Sequence, residues 1–363
     1  MRDENVDLEV ERGDPGITRL VERPLAELSA RQVRFRVERF ALTANNVTYA
    51  VIGDLLGYWD FFPTEAGWGR VPAMGWAEIV VSAHPQVPVG SRHYGWFPMS
   101  RYVQMTVSPA ADGVRDDSPH RAAHAPVYRA YVASDRDPFY EAGADGEDRH
   151  ALLRGLFLTA FLADDFFAEH EYYGATRVVV LSASSKTAIG FAQRASGRGL
   201  EVVGLTSPRH VDFVRGLGCY DRAITYDDLE TLPAGAAAVS IDMAGNGPVL
   251  ARLHAHLADR LRYSMTVGLS HHDAARDRPP ASGPPPELFF APTQVSKRME
   301  DWGPDGFRQR VAVALRDFVH ASRRWLTVKR SDGPAAARDA WVGVRGGHVP
   351  PSEGRIVSLW EAP

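Results

Sequence analysis

Ten residues near the middle of the chain, LSASSKTAIG at 181–190, join a run of hydroxyls to one of only three lysines in the protein. The loop lies between an apolar stretch at 177–181 and a helical pattern beginning at Thr187. A phosphate suits that place, because backbone N–H groups and a helix N-terminus converge there on negative charge. Ser182, Ser184, Ser185 and Ala188 stand where glycines usually permit the tight turn and close approach. Serine hydroxyls can donate to phosphate oxygens, Lys186 supplies charge, and Thr187 opens the helix beside it. The alternative is an ordinary strand-to-helix connection with a solvated lysine. Ser185-Lys186-Thr187 also echoes the end of a P-loop, but the glycine required before the lysine is Ser185 and the first glycine is missing, which excludes that motif.

A second segment bears on which dinucleotide would fit. After the next apolar stretch come Thr206, Ser207, Pro208, Arg209 and His210, with no acid until Asp212. An NAD site needs an acid here for the ribose 2′-hydroxyl, whereas Ser207 and Arg209 would satisfy a 2′-phosphate. The arrangement favours NADP(H), with a solvated Arg209 as the alternative. Metal chemistry finds little support. Cys219 is the sole cysteine, so multi-cysteine sites and intrachain disulfides are excluded. His271, His272 and Asp273 form a short cluster without a third placed ligand, readable as a polar or substrate-facing loop.

The elements that must hold these residues follow from periodicity. Residues 6–110 read as short strands between Gly- and Pro-rich turns, including 33–37, 75–81 and 102–107. The stretch 110–146 is polar and charged, with aromatics at Tyr128, Tyr131, Phe139 and Tyr140, and reads as a connector whose aromatics could cover a pocket. Helical spacing begins at 149–171. Strands at 177–181, 200–205, 223–226, 236–243, 263–269 and 288–290 then alternate with helices at 187–196, 208–216 and 249–261. Nearly unbroken apolar strands between helices predict a parallel sheet covered on both faces. A loop with five prolines spans 276–286, a helix spans 304–320, and strands at 325–329 and 355–360 return after the nucleotide domain.

The order of these segments resembles the medium-chain dehydrogenase/reductase superfamily over 42–319, apart from 110–146. It is most similar to a microbial family attached to the zinc-free quinone- and enoyl-reductase branches. The matching pieces are ANNVTYAVIG at 44–53, VPAMGWA at 71–77, VGSRHYG at 89–95, VRGLGCYD at 214–221 before AITY at 223–226, and SIDMAG at 240–245. The departure is the loss of glycines at 182–188. The resemblance implies a GroES-like β-rich catalytic domain with an inserted Rossmann-type parallel-sheet domain. The boundaries expected are 1–148 for the first domain with its connector, 149–303 for the nucleotide domain and 304–363 for the return segment. It also adds Tyr226, at the end of the third strand, to the cofactor residues.

Zinc-dependent relatives use an N-terminal cysteine ligand, which Cys219 cannot supply, so the resemblance implies zinc-independent chemistry. The expected reaction is NADPH-dependent reduction of an activated C=C bond in an enone, enoyl compound or quinone. A positioned donor returns the proton while the protein stabilises the developing oxyanion. Tyr58 is the best analogue of the branch's proton donor, Tyr49 is second, and the Asn46 amide would position cofactor or substrate. Packing of the aromatics at 58–62 is the competing reading. A zinc-independent carbonyl reductase and a non-catalytic NADP(H)-binding regulatory protein are the alternative functions.

Aromatic residues from Tyr58 to Phe97 permit an apolar cleft, so the expected partner is a small apolar or aromatic carbonyl compound. A formal charge of -4 argues against nucleic acid. The longest apolar stretch, 152–167, is interrupted by Arg154, Asp164 and Asp165, which argues against a membrane span. With a charged N-terminus and one cysteine, a soluble cytoplasmic protein is expected. The resemblance implies a homodimer, for which the sheet edge at 288–290 is the expected surface.

Overall fold

In β3 (Gln32–Leu42) the side chains of Val33, Phe35 and Val37 are buried while their neighbours are not, the period-two signature of a strand with one face in a core. The computed structural model describes residues 4–243, 245–267 and 282–362. Its chain divides into two units, Met1–Leu152 with Thr327–Pro363, and Leu153–Leu326.

In the first unit, β1 (Glu4–Glu11), β2 (Thr18–Pro24) and β4 (Trp68–Gly69) form a small antiparallel sheet. The larger sheet joins β3 to β5 (Pro72–Ser82), β6 (Arg92–Pro98), β7 (Tyr102–Ala110), β8 (Gly113–Asp116) and β9 (Ala130–Ala133). Two strands from the end of the chain, β16 (Thr327–Asp332) and β17 (Glu353–Ser358), extend it in the order β16-β17-β3-β5-β6-β9-β8-β7. Because β3 also pairs with β7, the strands from β3 to β7 close into a barrel, the GroES-like domain expected. Its interior holds Phe35, Phe97 and Tyr131, with Tyr131 stacked 5.6 Å from Phe35 and tilted against Phe97 at 5.2 Å. Gly95 lies beneath Tyr131, where a Cβ would meet the ring at 2.4 Å.

One expectation is corrected here. The stretch 110–146 is no mere connector, because β8 and β9 inside it complete the barrel and Tyr131 is core. Both strands are four residues long with only alternate positions buried, so their outward residues make the sequence look polar. A helix without a counterpart in the sequence reading, α8 (Pro334–Arg345), packs Trp341 into the first unit and donates its indole N–H to the Pro15 carbonyl at 2.8 Å. Preceding it in chain order are α1 (Ala44–Val51) and α2 (Gly53–Leu56) of the first unit, then α3 (Ala144–Glu169), within which the division between units falls.

In the second unit β10 (Arg177–Leu181), β11 (Glu201–Thr206), β12 (Arg222–Thr225), β13 (Ala238–Asp242), β14 (Leu261–Thr266) and β15 (Glu287–Leu288) form a parallel sheet in the order β12-β11-β10-β13-β14-β15. β10 and β13 are buried at every position, as strands covered on both faces must be. The order reverses between β10 and β13, the switch point of a Rossmann-type sheet. α4 (Lys186–Ala195), α5 (Val211–Gly216) and α6 (Gly247–Leu257) connect the strands. α7 (Ala291–Ser322) is longer than the helix expected at 304–320. It kinks at Gly303, whose φ is 71°, and Pro304 opens the second half. That half belongs to the second unit, where Phe318 stacks 4.9 Å from Phe157.

The first turns of α3 bury four consecutive polar residues, Glu147, Asp148, Arg149 and His150. Charge can be buried there only because each partner is supplied. Arg39 and Arg92 pair with Glu147, and Tyr140 donates to it at 2.8 Å. Arg39 and Arg330 pair with Asp148 at 3.0 and 2.7 Å. Glu147→Ala would leave two guanidiniums without their shared carboxylate. A loss of about 3–5 kcal/mol is expected from urea denaturation followed through the first unit's tryptophans.

Candidate functional site

Beyond Leu181 the chain must turn sharply from β10 into α4. Ser182 makes the turn with φ 56°, in the left-handed region that disfavours a side chain. Ser185 donates its N–H to the Ser182 carbonyl at 2.9 Å and caps α4, its Oγ accepting from Ala188 N–H at 3.2 Å. Lys186 and Thr187 occupy the first turn, which contains no acid. A cation at this end opposes the helix dipole unless an anion joins it. Ala188 is fully buried.

The hydroxyls reach the neighbouring strand ends. Ser182 Oγ lies 3.4 Å from the Tyr226 hydroxyl, just beyond β12, and Ser184 Oγ lies 3.2 Å from His210 Nδ1, beyond β11. Ser207 opens the short turn Pro208–His210, and its Oγ is buried without a hydrogen-bond partner among the described residues. Arg209 is exposed beside it. Ser182, Ser184, Ser185, Lys186, Thr187, Ala188, Ser207, Arg209 and Tyr226 therefore gather around the C-terminal ends of β10, β11 and β12, the end at which open α/β sheets take ligands. Burial pushes the Tyr226 phenol upward, and Asp242 adds to the shift. Burial pushes the His210 imidazole down, reinforced by Arg209.

Two residues join this group that the sequence reading did not assign to it. One is His210, through Ser184. The other is Asp242, at the end of β13, whose buried carboxylate accepts from Gly245 and Asn246 N–H, each at 3.1 Å. Spacing from the loop could have suggested Asp242, but only the fold brings His210 to Ser184.

The first unit gathers a second cluster. Tyr49 on α1 packs 4.5 Å from Tyr58, which begins the turn Tyr58–Asp60, and 5.4 Å from Trp96 on β6. The Tyr58 hydroxyl meets the Tyr128 hydroxyl at 3.5 Å. Burial raises both the Tyr49 and Tyr58 phenols above their ordinary range, and the neighbouring tyrosines raise them further. Trp59, Phe61, Phe62, Trp76 and Phe97 are packed core.

Asn46 is buried, and its amide is committed to the chain. Oδ1 accepts from Thr43 N–H at 2.8 Å, and Nδ2 donates to the Pro72 carbonyl at 2.9 Å. It thus fixes the start of α1, from which Tyr49 projects.

The segment carrying Tyr128 is tied across the residues around Tyr58. Arg121 is fully buried over the Phe61 ring at 4.2 Å and donates to the carbonyls of Phe61 and Tyr128. His124 Nε2 meets the Gly57 carbonyl at 3.0 Å.

Among the described residues no three His, Cys, Asp or Glu are placed to hold a metal ion, and no helix is long and apolar enough to cross a membrane. His271, His272 and Asp273 lie outside the described residues. Cys219 belongs to the second unit, and burial pushes its thiol up to about 12. A groove of about 970 Å³ along α3, α4 and α7 lies away from the strand ends, and Arg194, Arg198 and Arg298 in it are ion-paired.

The left-handed Ser182 gives a direct test of the turn. Ser182→Gly relieves a conformational cost of roughly 1–2 kcal/mol, less the weak hydroxyl contact to Tyr226. Thermal denaturation should show Ser182→Gly at least as stable as the parent, whereas Ser182→Ala, which keeps the strain, should be less stable than either.

No curated protein matches the chain. Solved structures match it at low identity over nearly all its length. CurA from Vibrio vulnificus in complex with NADPH is 14% identical with a TM-score of 0.60, and the match covers 95% of each chain. A putative NADPH:quinone reductase from Mesorhizobium loti is 14% identical with a TM-score of 0.60, covering 99% of each. The CurK enoyl reductase is 17% identical with a TM-score of 0.56, covering 98% of this chain and 99% of that one. At this identity the likeness concerns the fold alone, a GroES-like barrel domain with a Rossmann-type parallel-sheet domain. A family pattern described as protein of unknown function, DUF2855, matches residues 40–350, and the chain belongs to that family.

Proposed function

We propose that the protein is an NADPH-dependent, zinc-independent reductase of activated C=C bonds in small apolar or aromatic carbonyl compounds, namely enones, enoyl compounds or quinones. One observation carries the cofactor reading: the buried, unpartnered Ser207 hydroxyl stands beside Arg209 at the end of β11, where an NAD site would place an acid. The first turn of α4, with Lys186 and no acid, fits the pyrophosphate. The fold-level relatives whose names include NADPH, quinone reductase and enoyl reductase point the same way.

When bound, the nicotinamide supplies the hydride. The chain's own part is to hold and to protonate. Ser182, Ser184, Ser185, Lys186, Thr187 and the helix end by Ala188 would bind the pyrophosphate, Ser207 and Arg209 the 2′-phosphate, and Tyr226 would brace the loop through Ser182. Tyr58 is assigned the proton that completes reduction, with Tyr49 packed against its ring and Asn46 holding α1 in place. The exposed edge strand β15, with Leu288 69% exposed and Phe290 beside it 52% exposed, is the proposed homodimer surface.

Titration should show NADPH binding more tightly than NADH. Arg209→Ala should weaken NADPH roughly tenfold, the scale of one lost charge-assisted contact, and leave NADH unchanged. No binding of either nucleotide at high protein concentration would overturn the reading. An acceptor screen followed at the nicotinamide absorbance then separates the chemistries. A saturated carbonyl product supports C=C reduction, an allylic alcohol points to carbonyl reduction, and tight NADPH binding with no turnover points to a non-catalytic binding protein. Light scattering should give twice the chain mass, falling to a monomer in Leu288→Glu.

A further inference from the structure

We propose that Tyr128 is the outer member of a two-hydroxyl proton relay, passing a proton from solvent to Tyr58 each time Tyr58 protonates a substrate. The inference rests on the reductase reading above and extends it to a residue 70 positions further along the chain.

The Tyr58 side chain is enclosed. It is 8% exposed, flanked by the rings of Tyr49 at 4.5 Å and Phe61 at 5.4 Å, and the hydroxyl within reach of its own is that of Tyr128, at 3.5 Å. A phenol that gives up its proton there becomes an anion in an apolar surround, which is costly until a proton returns. Burial raises the Tyr58 phenol for the same reason. Tyr128 is only half-buried and is the more accessible residue of the pair.

The pairing is built rather than incidental. Arg121, itself fully buried, bonds the backbone carbonyls of both Phe61 and Tyr128, and its guanidinium lies 4.2 Å from the centre of the Phe61 ring. His124, from the same segment, holds the carbonyl of Gly57, immediately before Tyr58. Three side chains of one segment, Arg121, His124 and Tyr128, thus engage residues 57–61. The buried Arg121 charge is met by Asp116 at 3.5 Å, and its bonds to the two carbonyls tie the turn after Tyr58 to the segment that carries Tyr128.

The proton accounting closes. A bound nicotinamide would supply hydride to the β-carbon, leaving an enolate. The Tyr58 O–H bond breaks as the α-carbon C–H bond forms. In the same transition state the Tyr128 O–H breaks as that of Tyr58 re-forms, and water afterwards restores Tyr128. Tyr58 touches the substrate, whereas Tyr128 acts through Tyr58.

The test uses the full chain and whichever acceptor the wild-type protein reduces. Tyr58→Phe should lower kcat on the order of a hundredfold, as loss of a general acid does, and Tyr128→Phe roughly tenfold, with KM and the NADPH Kd unchanged. The double variant should be no slower than Tyr58→Phe. In mixed light and heavy water the wild-type rate should depend on deuterium content along a bowed line, and that of Tyr128→Phe along a straight one. NMR of tyrosine labelled at Cζ, read without any acceptor, should show the Tyr58 signal shifting in Tyr128→Phe. Multiplicative losses in the double variant, an unchanged bowed line or an unmoved Tyr58 signal would each overturn the relay while leaving the reductase reading standing. Absence of turnover by the wild-type chain would remove both.

Discussion

β3 has only two edges but three partners, and the first unit depends on how it serves them. One edge pairs with β5. The other pairs with β7 from Gln32 to Arg36 and with β17 from Phe40 to Leu42. At the changeover the Val37 N–H donates to the Arg101 carbonyl at 2.8 Å, and the Val37 carbonyl accepts from the Trp360 indole at 2.8 Å. No polar group of that residue is left buried and unmet, as backbone accounting requires. The register shifts against β5 at Arg34/Phe35 and Val37/Arg39 accompany this change of partner. Because a one-residue slip would turn Phe35 out of the barrel, β7, β5 and the returning β17 must all meet β3 in one register.

That dependence explains what could be read in advance. The second unit was legible because parallel strands buried on both faces leave continuous apolar runs, as in Arg177–Leu181 and Ala238–Asp242. The barrel was only partly legible. β8 and β9 owe their place to partners rather than composition, whereas α8 buries Ala337, Trp341 and Val344 at ordinary helical spacing and was legible in principle. The hydroxyl-rich loop identified the candidate phosphate site by lying between a strand and a helix. The left-handed Ser182, the Ser184–His210 contact and the orphaned Ser207 hydroxyl are matters of three-dimensional placement that no spacing encodes. Asn46 shows the converse: a residue type suited to touching a ligand has both amide atoms engaged by the chain itself.

Of the chain's 41 lysines and arginines only three are lysines, and the preference for arginine has a physical reading. Buried carboxylates in this protein are repeatedly met by guanidinium: Glu147 by Arg39 and Arg92, Asp164 by Arg194 and Arg198, Asp116 by Arg121. A planar fork of donors can serve a carboxylate and a second acceptor together, as Arg121 does with two carbonyls, and it keeps its charge when desolvated. An ammonium offers neither property as well. The tyrosine cluster inherits its geometry from one such residue.

The scarcity of lysine gives the first turn of α4 an unusual chemical visibility. Lys186, Lys297 and Lys329 are the chain's only side-chain amines. Lys297 is held between Glu169 and Asp301, Lys329 is exposed, and Lys186 is half-buried beside the serines of the loop. An amine-selective acylating reagent is therefore nearly a site-directed probe here. Anything anionic that settles on the loop would register as shielding of one amine against the two others serving as internal standards, with neither a substrate nor an introduced label.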